Sequence, residues 1–70
     1  MQNQKQMIIQ YIKDFGSITP AEAFLDLGIY NFSARLSELK DDGYSFEMKR
    51  EKGKNRYGRP ISWGRYRLTQ

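Results

Sequence analysis

The chain has 70 residues, a formal net charge of +4, and no cysteine or histidine. This length allows one small domain, and the composition excludes disulfide frameworks, Cys/His metal sites and a cysteine or histidine acting in catalysis. No apolar stretch is long enough for a transmembrane span and residues 1–10 lack the features of a signal peptide, so we expect a cytoplasmic protein.

The first apolar pattern predicts a helix near the N-terminus. Its residues recur at helical spacing with polar residues between them, and they are Met7, Ile8, Tyr11, Ile12 and Phe15. This spacing predicts an amphipathic helix over about residues 3–15, which Gly16 ends in a left-handed conformation.

A helix start signal follows in the segment Thr19-Pro-Ala-Glu22. Thr19 can cap the helix, the proline fits the first helical position, and Glu22 stands where a capping box places its acid. We therefore predict a short second helix over about residues 20–27. Its N-terminus could also receive a phosphate group of a ligand, although the capping role alone explains Thr19.

The end of this second helix is marked by Gly28. Phe24 and Leu27 are expected to face the core. With Gly28 just past the helix end, Ile29 can fold back onto Phe24, the hydrophobic contact that accompanies this type of cap.

A third helix must begin almost at once after that turn. Phe32, Leu36 and Leu39 form a stripe expected to be buried, Asp42-Gly43 closes the segment, and we predict a helix over about residues 31–42. Two short helices joined through a glycine-containing turn form the helix-turn-helix pattern.

The opposite face of the third helix carries residues suited to contact DNA bases. Asparagine and arginine can make paired hydrogen bonds to adenine and guanine edges, and serine and alanine allow a close approach. The predicted contacts are Asn31, Ser33, Ala34, Arg35 and Ser37. A solvated surface would look similar, since Arg35 could pair with Glu38 three residues on. Glu38, Asp41 and Asp42 would repel phosphate, so only the first half of the helix is expected to approach DNA.

After Gly43 the pattern changes to the two-residue period of a β-strand. Alternating apolar and polar residues predict strands over about residues 44–50 and 61–68. The apolar positions of the second strand fall out of phase across Gly64. A bulge at Gly64, or an exposed Trp63, would reconcile them.

One hydrophobic core must stabilise a domain of this size, and such cores rarely supply more than about 3–5 kcal/mol. Aromatic side chains are expected to fill much of it. The aromatic residues assigned to the core are Tyr11, Phe15, Phe24, Phe32, Tyr44 and Phe46.

Catalysis finds little support in the sequence. The loop glycines Gly53 and Gly58 match neither of the phosphate-binding glycine motifs. Asp41 and Asp42 are adjacent, and adjacent helical residues point in different directions. We therefore expect no enzyme activity, no cofactor, no metal site and no small-molecule substrate.

The charges are divided unequally along the chain. Residues 49–70 hold eight Lys/Arg and one acid, whereas residues 1–48 hold four Lys/Arg and seven acids. This separation concentrates positive potential on one surface, which favours an anionic polymer over a small metabolite. The residues of this segment predicted to contact DNA are Lys49, Arg50, Lys52, Lys54, Asn55, Arg56, Tyr57 and Arg59.

Most of these residues belong to a long polar turn predicted over residues 52–60. Its cations would neutralise phosphates, and Tyr57 could hydrogen-bond a phosphate or stack on a sugar. An arginine at the tip could enter a narrow minor groove. The alternative is a charged hairpin that keeps a small protein soluble and protects a sheet edge.

Five segments carry a family resemblance, and they are Gly16–Glu22, Leu27–Tyr30, Ala34–Leu39, Gly43-Tyr44 and Arg65–Leu68. Over roughly residues 5–68 the chain resembles the winged helix-turn-helix proteins, especially the small stand-alone members common in bacteriophage genomes. The resemblance implies an α+β fold, with three helices followed by a two-stranded wing in one domain spanning residues 1–70.

The resemblance also implies binding to double-stranded DNA, with the third helix in the major groove and the hairpin loop as a wing along the backbone or the minor groove. It suggests a phage-derived protein in a bacterial cytoplasm, acting in transcription or in DNA rearrangement such as excision. Two other partners remain open: a second copy in a homodimer, and a host protein bound through Trp63, Tyr57 and the wing. A preference for RNA is a third alternative.

Overall fold

The computed structural model describes residues 3–69. Its elements, in chain order, are α1 (Gln4–Phe15), α2 (Pro20–Leu27), α3 (Phe32–Asp41), β1 (Phe46–Lys54) and β2 (Pro60–Leu68). The helices pack around one core, and the strands form an antiparallel hairpin. The expected fold of three helices followed by a two-stranded wing is confirmed. No helix in this part of the chain has the length and apolar character needed to cross a membrane.

Capping side chains and glycines fix the helix ends. The Thr19 Oγ1 accepts a hydrogen bond from the Glu22 N–H at 3.1 Å, and the Glu22 Oε1 accepts one from the Thr19 N–H at 3.0 Å. The predicted capping box is therefore present, and a second one opens α1. Gly16 and Gly28 end α1 and α2 at φ angles of 92° and 70°, a region that favours glycine.

Isoleucine, more than aromatic residues, fills the core. Ile8, Ile18 and Ile29 are the largest side chains that are fully buried. The remaining buried hydrophobic residues are Ile9, Ile12, Ala23, Phe32, Leu36 and Leu39. The buried stripe predicted for the third helix is thus confirmed.

The assignment of six aromatic residues to the core is wrong for three of them. Phe15, Phe24 and Tyr44 are 72%, 48% and 37% exposed. Short helices in a small domain have few neighbours, so only the centre of each apolar face is covered and its flanks stay in solvent. In α2 the fully buried residue is Ala23 instead of Phe24, whose ring lies 5.2 Å from the still more exposed ring of Tyr30.

The hairpin differs from the predicted strands in length. β1 begins two residues later than expected and continues to Lys54, so the predicted polar turn over residues 52–60 shrinks to residues 55–59. Lys52 pairs with Ser62, and Lys54 pairs with Pro60. Composition suggested a loop here, but the ladder is made by backbone groups, which do not depend on charged side chains.

Of the two alternatives offered for the phase break at Gly64, the bulge is wrong. The register is continuous from Phe46 opposite Leu68 to Lys54 opposite Pro60. The two sets of apolar residues in β2 instead use opposite faces of the sheet. Tyr66 and Leu68 face the helices, whereas Ile61 and Trp63 lie on the other face, where Trp63 is half-buried.

A single β-bridge joins the hairpin to the link between α1 and α2. Ile18 and Tyr66 form an antiparallel bridge, in which each N–H donates to the other's carbonyl oxygen at 2.8 Å. This bridge holds the link between α1 and α2 against β2, and it fixes the base of the wing to the helical body.

Candidate nucleic-acid interface

The first turn of α3 holds the residues expected to lead into the major groove. Asn31 is the N-cap, and its Oδ1 accepts a hydrogen bond from the Ala34 N–H at 3.3 Å. A paired contact to an adenine edge uses both the oxygen and the amide of asparagine. The cap bond occupies one of the two lone pairs of the Asn31 oxygen and restricts the orientation in which the amide can meet a base edge. Ser33 and Ser37 are exposed, and Ala34 is half-buried.

Arg35 lies on the side of α3 that faces α1. Its Nε lies 3.0 Å from the Glu38 Oε1, which is ion-pair distance but outside hydrogen-bond geometry. The side chain lines a surface groove together with Asn3 and Lys5. The surface pairing with Glu38, weighed above as the alternative, is the arrangement seen, and contact with a guanine edge requires Arg35 to leave it.

The two faces of the wing differ in what they carry. Residues of β1 whose side chains share the face of the helical core are Phe46, Met48, Arg50, Lys52 and Lys54, and we call this the inner face. Near the helices the inner face is apolar. Further along the hairpin it is cationic, because Arg50, Lys52 and Lys54 follow one another at every second position and are exposed.

The first turn of α3 lies on this same side of the sheet. The ring of Phe32, the first residue of α3, lies 5.6 Å from the ring of Tyr66 on the inner face. Asn31 and Ser33 are its chain neighbours. The start of α3 therefore packs against the base of the inner face, from which the cationic part of the wing extends.

The tip of the wing is a turn held by Asn55. The Asn55 Oδ1 accepts hydrogen bonds from the N–H groups of Tyr57 and Arg59 at 2.9 and 3.0 Å. The Asn55 side-chain oxygen therefore holds the turn together. The sequence analysis predicted that Asn55 contacts DNA. Arg56, Tyr57 and Arg59 remain at the surface, and Tyr57 is 85% exposed.

Lys49 does not join this group, because it lies on the opposite, outer face of the sheet. That face also holds a network around Arg65. The Arg65 Nε donates to the Glu51 Oε2 at 2.8 Å, and its Nη1 lies 3.3 Å from the Glu22 Oε1 at the start of α2. The Glu51 Oε1 accepts a hydrogen bond from the Trp63 indole N–H at 2.8 Å.

The network ties the wing to the helix-turn-helix, and sequence reasoning missed it. Arg65 and Glu22 are 43 residues apart, so no local pattern joins them. The available signal was Glu51, the single acid among eight cations in residues 49–70. Trp63 also covers Gly53, where an added Cβ would lie 2.9 Å from the indole ring. Gly53 is thus needed for packing within the wing.

Trp63 should report the ionisation of Glu51. The hydrogen bond from Arg65, and to a smaller extent the one from Trp63, holds the pKa of Glu51 below its ordinary value of 4.5. The network is therefore intact above pH 4.5 and is lost as the pH falls through the lower pKa of the folded state. We expect the indole N–H resonance of Trp63, the one tryptophan of the chain, to shift in acid with a midpoint below 4.5. An E51Q variant should lack this step, and the same step in E51Q would contradict the assignment.

Comparison with known proteins agrees with this geometry. A family model described as a winged helix-turn-helix domain matches residues 3–70. No curated protein and no solved structure matches the chain. The matched region contains all three helices and both strands, and hence both parts of the candidate interface.

Proposed function

Because the chain belongs to the winged helix-turn-helix family, whose general function is DNA binding, we propose that it binds double-stranded DNA with the first turn of α3 in the major groove and the wing on the backbone. The proposal is supported by one observation: the start of α3 and the cations of the inner face lie on the same side of the sheet. Asn31 and Ser33 start α3 beside the inner face, and Arg50, Lys52 and Lys54 extend that face outward.

The wing supplies most of the affinity in this mechanism. Arg50, Lys52 and Lys54 lie at alternate positions, about 6.5–7 Å apart along the strand, which is close to the spacing of successive phosphates in one DNA strand. Each neutralised phosphate releases condensed counterions, and this gain is independent of base sequence. At the tip, Arg56 enters or borders the minor groove, and Tyr57 contacts a phosphate or sugar.

Sequence preference comes from α3. Asn31, Ser33 and Arg35 reach base edges, while Ala34 and Ser37 keep the helix surface small enough for close approach. Arg35 exchanges the Glu38 carboxylate for a base or a phosphate when DNA arrives. Since Asn31 and Arg35 both have partners within the protein, their discrimination between bases is modest, and specificity depends on how the wing and α3 are placed together.

The biological role that fits this chain is that of a small phage-derived protein in a bacterial cytoplasm, acting in transcription or in DNA rearrangement. This part of the proposal rests on the resemblance of segments such as Gly16–Glu22 and Ala34–Leu39 to small phage helix-turn-helix proteins. The alternative, docking on a host protein, uses Trp63, Tyr57 and the basic wing as the interface. It has less support, because the Trp63 ring covers Gly53 and its N–H is bonded to Glu51.

A salt titration of DNA binding tests the proposal. Fluorescence anisotropy would be measured with three labelled polyanions: a DNA duplex of about 20 base pairs, an RNA duplex of equal length and a polyglutamate of matched charge. A duplex of arbitrary sequence is sufficient, because the affinity gained by neutralising phosphates does not depend on base sequence. If about six phosphates are neutralised, log K for DNA should fall against log salt with a slope near −5. A salt-insensitive complex, or equal affinity for polyglutamate, would contradict the mechanism, and stronger binding to RNA would favour that class instead.

A further inference from the structure

The wing is attached to the helical body on both faces of β2. On the inner face, the ring of Tyr66 lies 5.6 Å from the ring of Phe32, and the backbone of Tyr66 forms the bridge to Ile18. On the outer face, the side chain of the preceding residue, Arg65, reaches the helical body. A bridge of one residue pair offers little resistance to rotation, so the angle of the wing depends on the outer-face attachment as well.

The Arg65 guanidinium holds groups of the wing and of the helical body at the same time. Its Nε donates to the Glu51 Oε2 of β1 at 2.8 Å, and its Nη1 donates at 3.0 Å to the Oγ of Ser17, in the link between α1 and α2. The same Nη1 lies 3.3 Å from the Glu22 Oε1 of α2. Because a planar guanidinium fixes the directions of its donors, these bonds restrain the angle of the wing as well as its distance from α2.

The two acids bound by Arg65 are themselves held in place. The Glu22 Oε1 accepts the Thr19 N–H at 3.0 Å in the capping box, and the Glu51 Oε1 accepts the Trp63 indole N–H at 2.8 Å. The side chains of Arg65, Glu22 and Glu51 are 33%, 34% and 30% exposed. Water therefore screens these contacts less than it screens a fully exposed ion pair.

The position of Arg65 along the hairpin makes the wing cations sensitive to these contacts. Arg65 pairs with Lys49, and Lys54 lies five residues further out on the same strand. At about 3.4 Å per residue, Lys54 is about 17 Å from this point. A rotation of the wing by about 10° at Arg65 would move Lys54 by about 3 Å, which is nearly half the distance between neighbouring cations of the inner face.

We propose that Arg65 is a positioning residue for DNA binding, which acts by fixing the wing at the angle where the inner-face cations and the first turn of α3 meet one duplex. The inference rests on the proposed function. It also gives a role to Glu51, the one acid among the eight cations of residues 49–70. The charge of an acid in this segment opposes DNA binding, and the orientation that Glu51 gives to Arg65 outweighs that cost.

Two variants of β1 with equal charge test this role, and they are Glu51→Ala and Glu47→Ala. Both residues lie on the outer face, but Glu47 pairs with Arg67 inside the wing, at 3.1 Å. Each variant gains one positive charge, which by itself would tighten DNA binding, and Glu51→Ala also frees Arg65 to contact phosphate. We nevertheless expect Glu51→Ala to weaken binding to a DNA duplex at least about fivefold near 0.1 M salt. Glu47→Ala should bind as the native chain does, or more tightly, in the same anisotropy titration.

A measurement without DNA separates this inference from the proposed function. The chain has no cysteine, so Leu25→Cys and Tyr57→Cys, at positions 76% and 85% exposed, would each take one spin label. Double electron–electron resonance between the two labels should give a narrow distance distribution in the otherwise native chain and a broader one with Arg65→Gln. Arg67→Gln loses the same charge from the same face of β2 but no link to the helices, so it should match the native distribution.

The outcomes distinguish the positioning role from DNA binding itself, once far-UV circular dichroism has shown that the variants fold. Equal affinities of Glu51→Ala and Glu47→Ala would overturn the positioning role and leave DNA binding intact. The same holds if Arg65→Gln and Arg67→Gln give the same distance distribution, because the wing would then be held without Arg65. A native chain that binds no duplex would overturn the proposed function and this inference together, whereas the spin-label distances would still show whether Arg65 fixes the wing.

Discussion

Replacing both Lys52 and Lys54 with alanine is expected to lower the affinity for a DNA duplex about 50-fold near 0.1 M salt and to leave it nearly unchanged near 1 M salt. Both lysines are exposed on the inner face of the wing, at alternate positions of β1. Each phosphate contact contributes about 0.9 to the slope of log K against log salt. The double variant should therefore make the slope less steep by about 2, and anisotropy titrations at four or five salt concentrations would measure it.

The matched control is a second double variant with the same loss of charge. Lys13 on α1 and Lys40 near the end of α3 are also exposed, and neither belongs to the predicted interface. Replacing this pair with alanine removes the same long-range attraction but no phosphate contact. If the two double variants lose affinity and slope equally, DNA responds to net charge alone, and the wing has no special role.

The parts of the fold that sequence predicted correctly are those encoded by neighbouring residues. The box of Thr19 and Glu22 needs only residues three apart, and the α3 stripe needs only helical spacing. Burial is different, because it depends on how many other elements cover a face. Phe15 and Phe24 satisfied the helical pattern and still lie in solvent, since a third layer of structure that would cover them is not present in residues 3–69.

The candidate site was also predicted only in part, because residue types can be read from the sequence and their arrangement in space cannot. The cluster of cations is visible in the sequence, but which of them act together depends on strand register. Lys49 and Arg50 are adjacent, and they lie on opposite faces of the sheet because β1 runs unbroken through both. The side-chain oxygens of Asn31 and Asn55 suited DNA contact by residue type, whereas the backbone N–H groups beside them use both oxygens internally. Such competition is settled by local geometry, which composition does not contain.

Ile18→Ala is expected to remove about 3 kcal/mol of folding free energy, within the range of 2–5 kcal/mol for fully buried isoleucine. Ile18 is completely buried, and the total for a domain of this size is about 3–5 kcal/mol. Its backbone hydrogen bonds with Tyr66 can persist in the variant, so the loss reports the side chain alone. Urea denaturation followed by Trp63 fluorescence would measure the change, with Leu25→Ala, at an exposed position, expected within about 0.5 kcal/mol of the native chain.

DNA should rescue the Ile18→Ala variant, because a ligand that binds only the folded state stabilises it by mass action, by about 2.7 kcal/mol at a hundredfold excess over the dissociation constant. Ile18 bridges Tyr66, which in turn contacts Phe32 at the start of α3. The cavity therefore lies where the helix-turn-helix and the wing meet. If a duplex raises the melting temperature of both the native chain and the variant, the folded arrangement of α3 and wing is the form that binds DNA. If a duplex stabilises Leu25→Ala but not Ile18→Ala, the cavity has changed how α3 and the wing are positioned relative to each other. DNA binding would then require the correct relative position of α3 and the wing, and neither would be sufficient by itself.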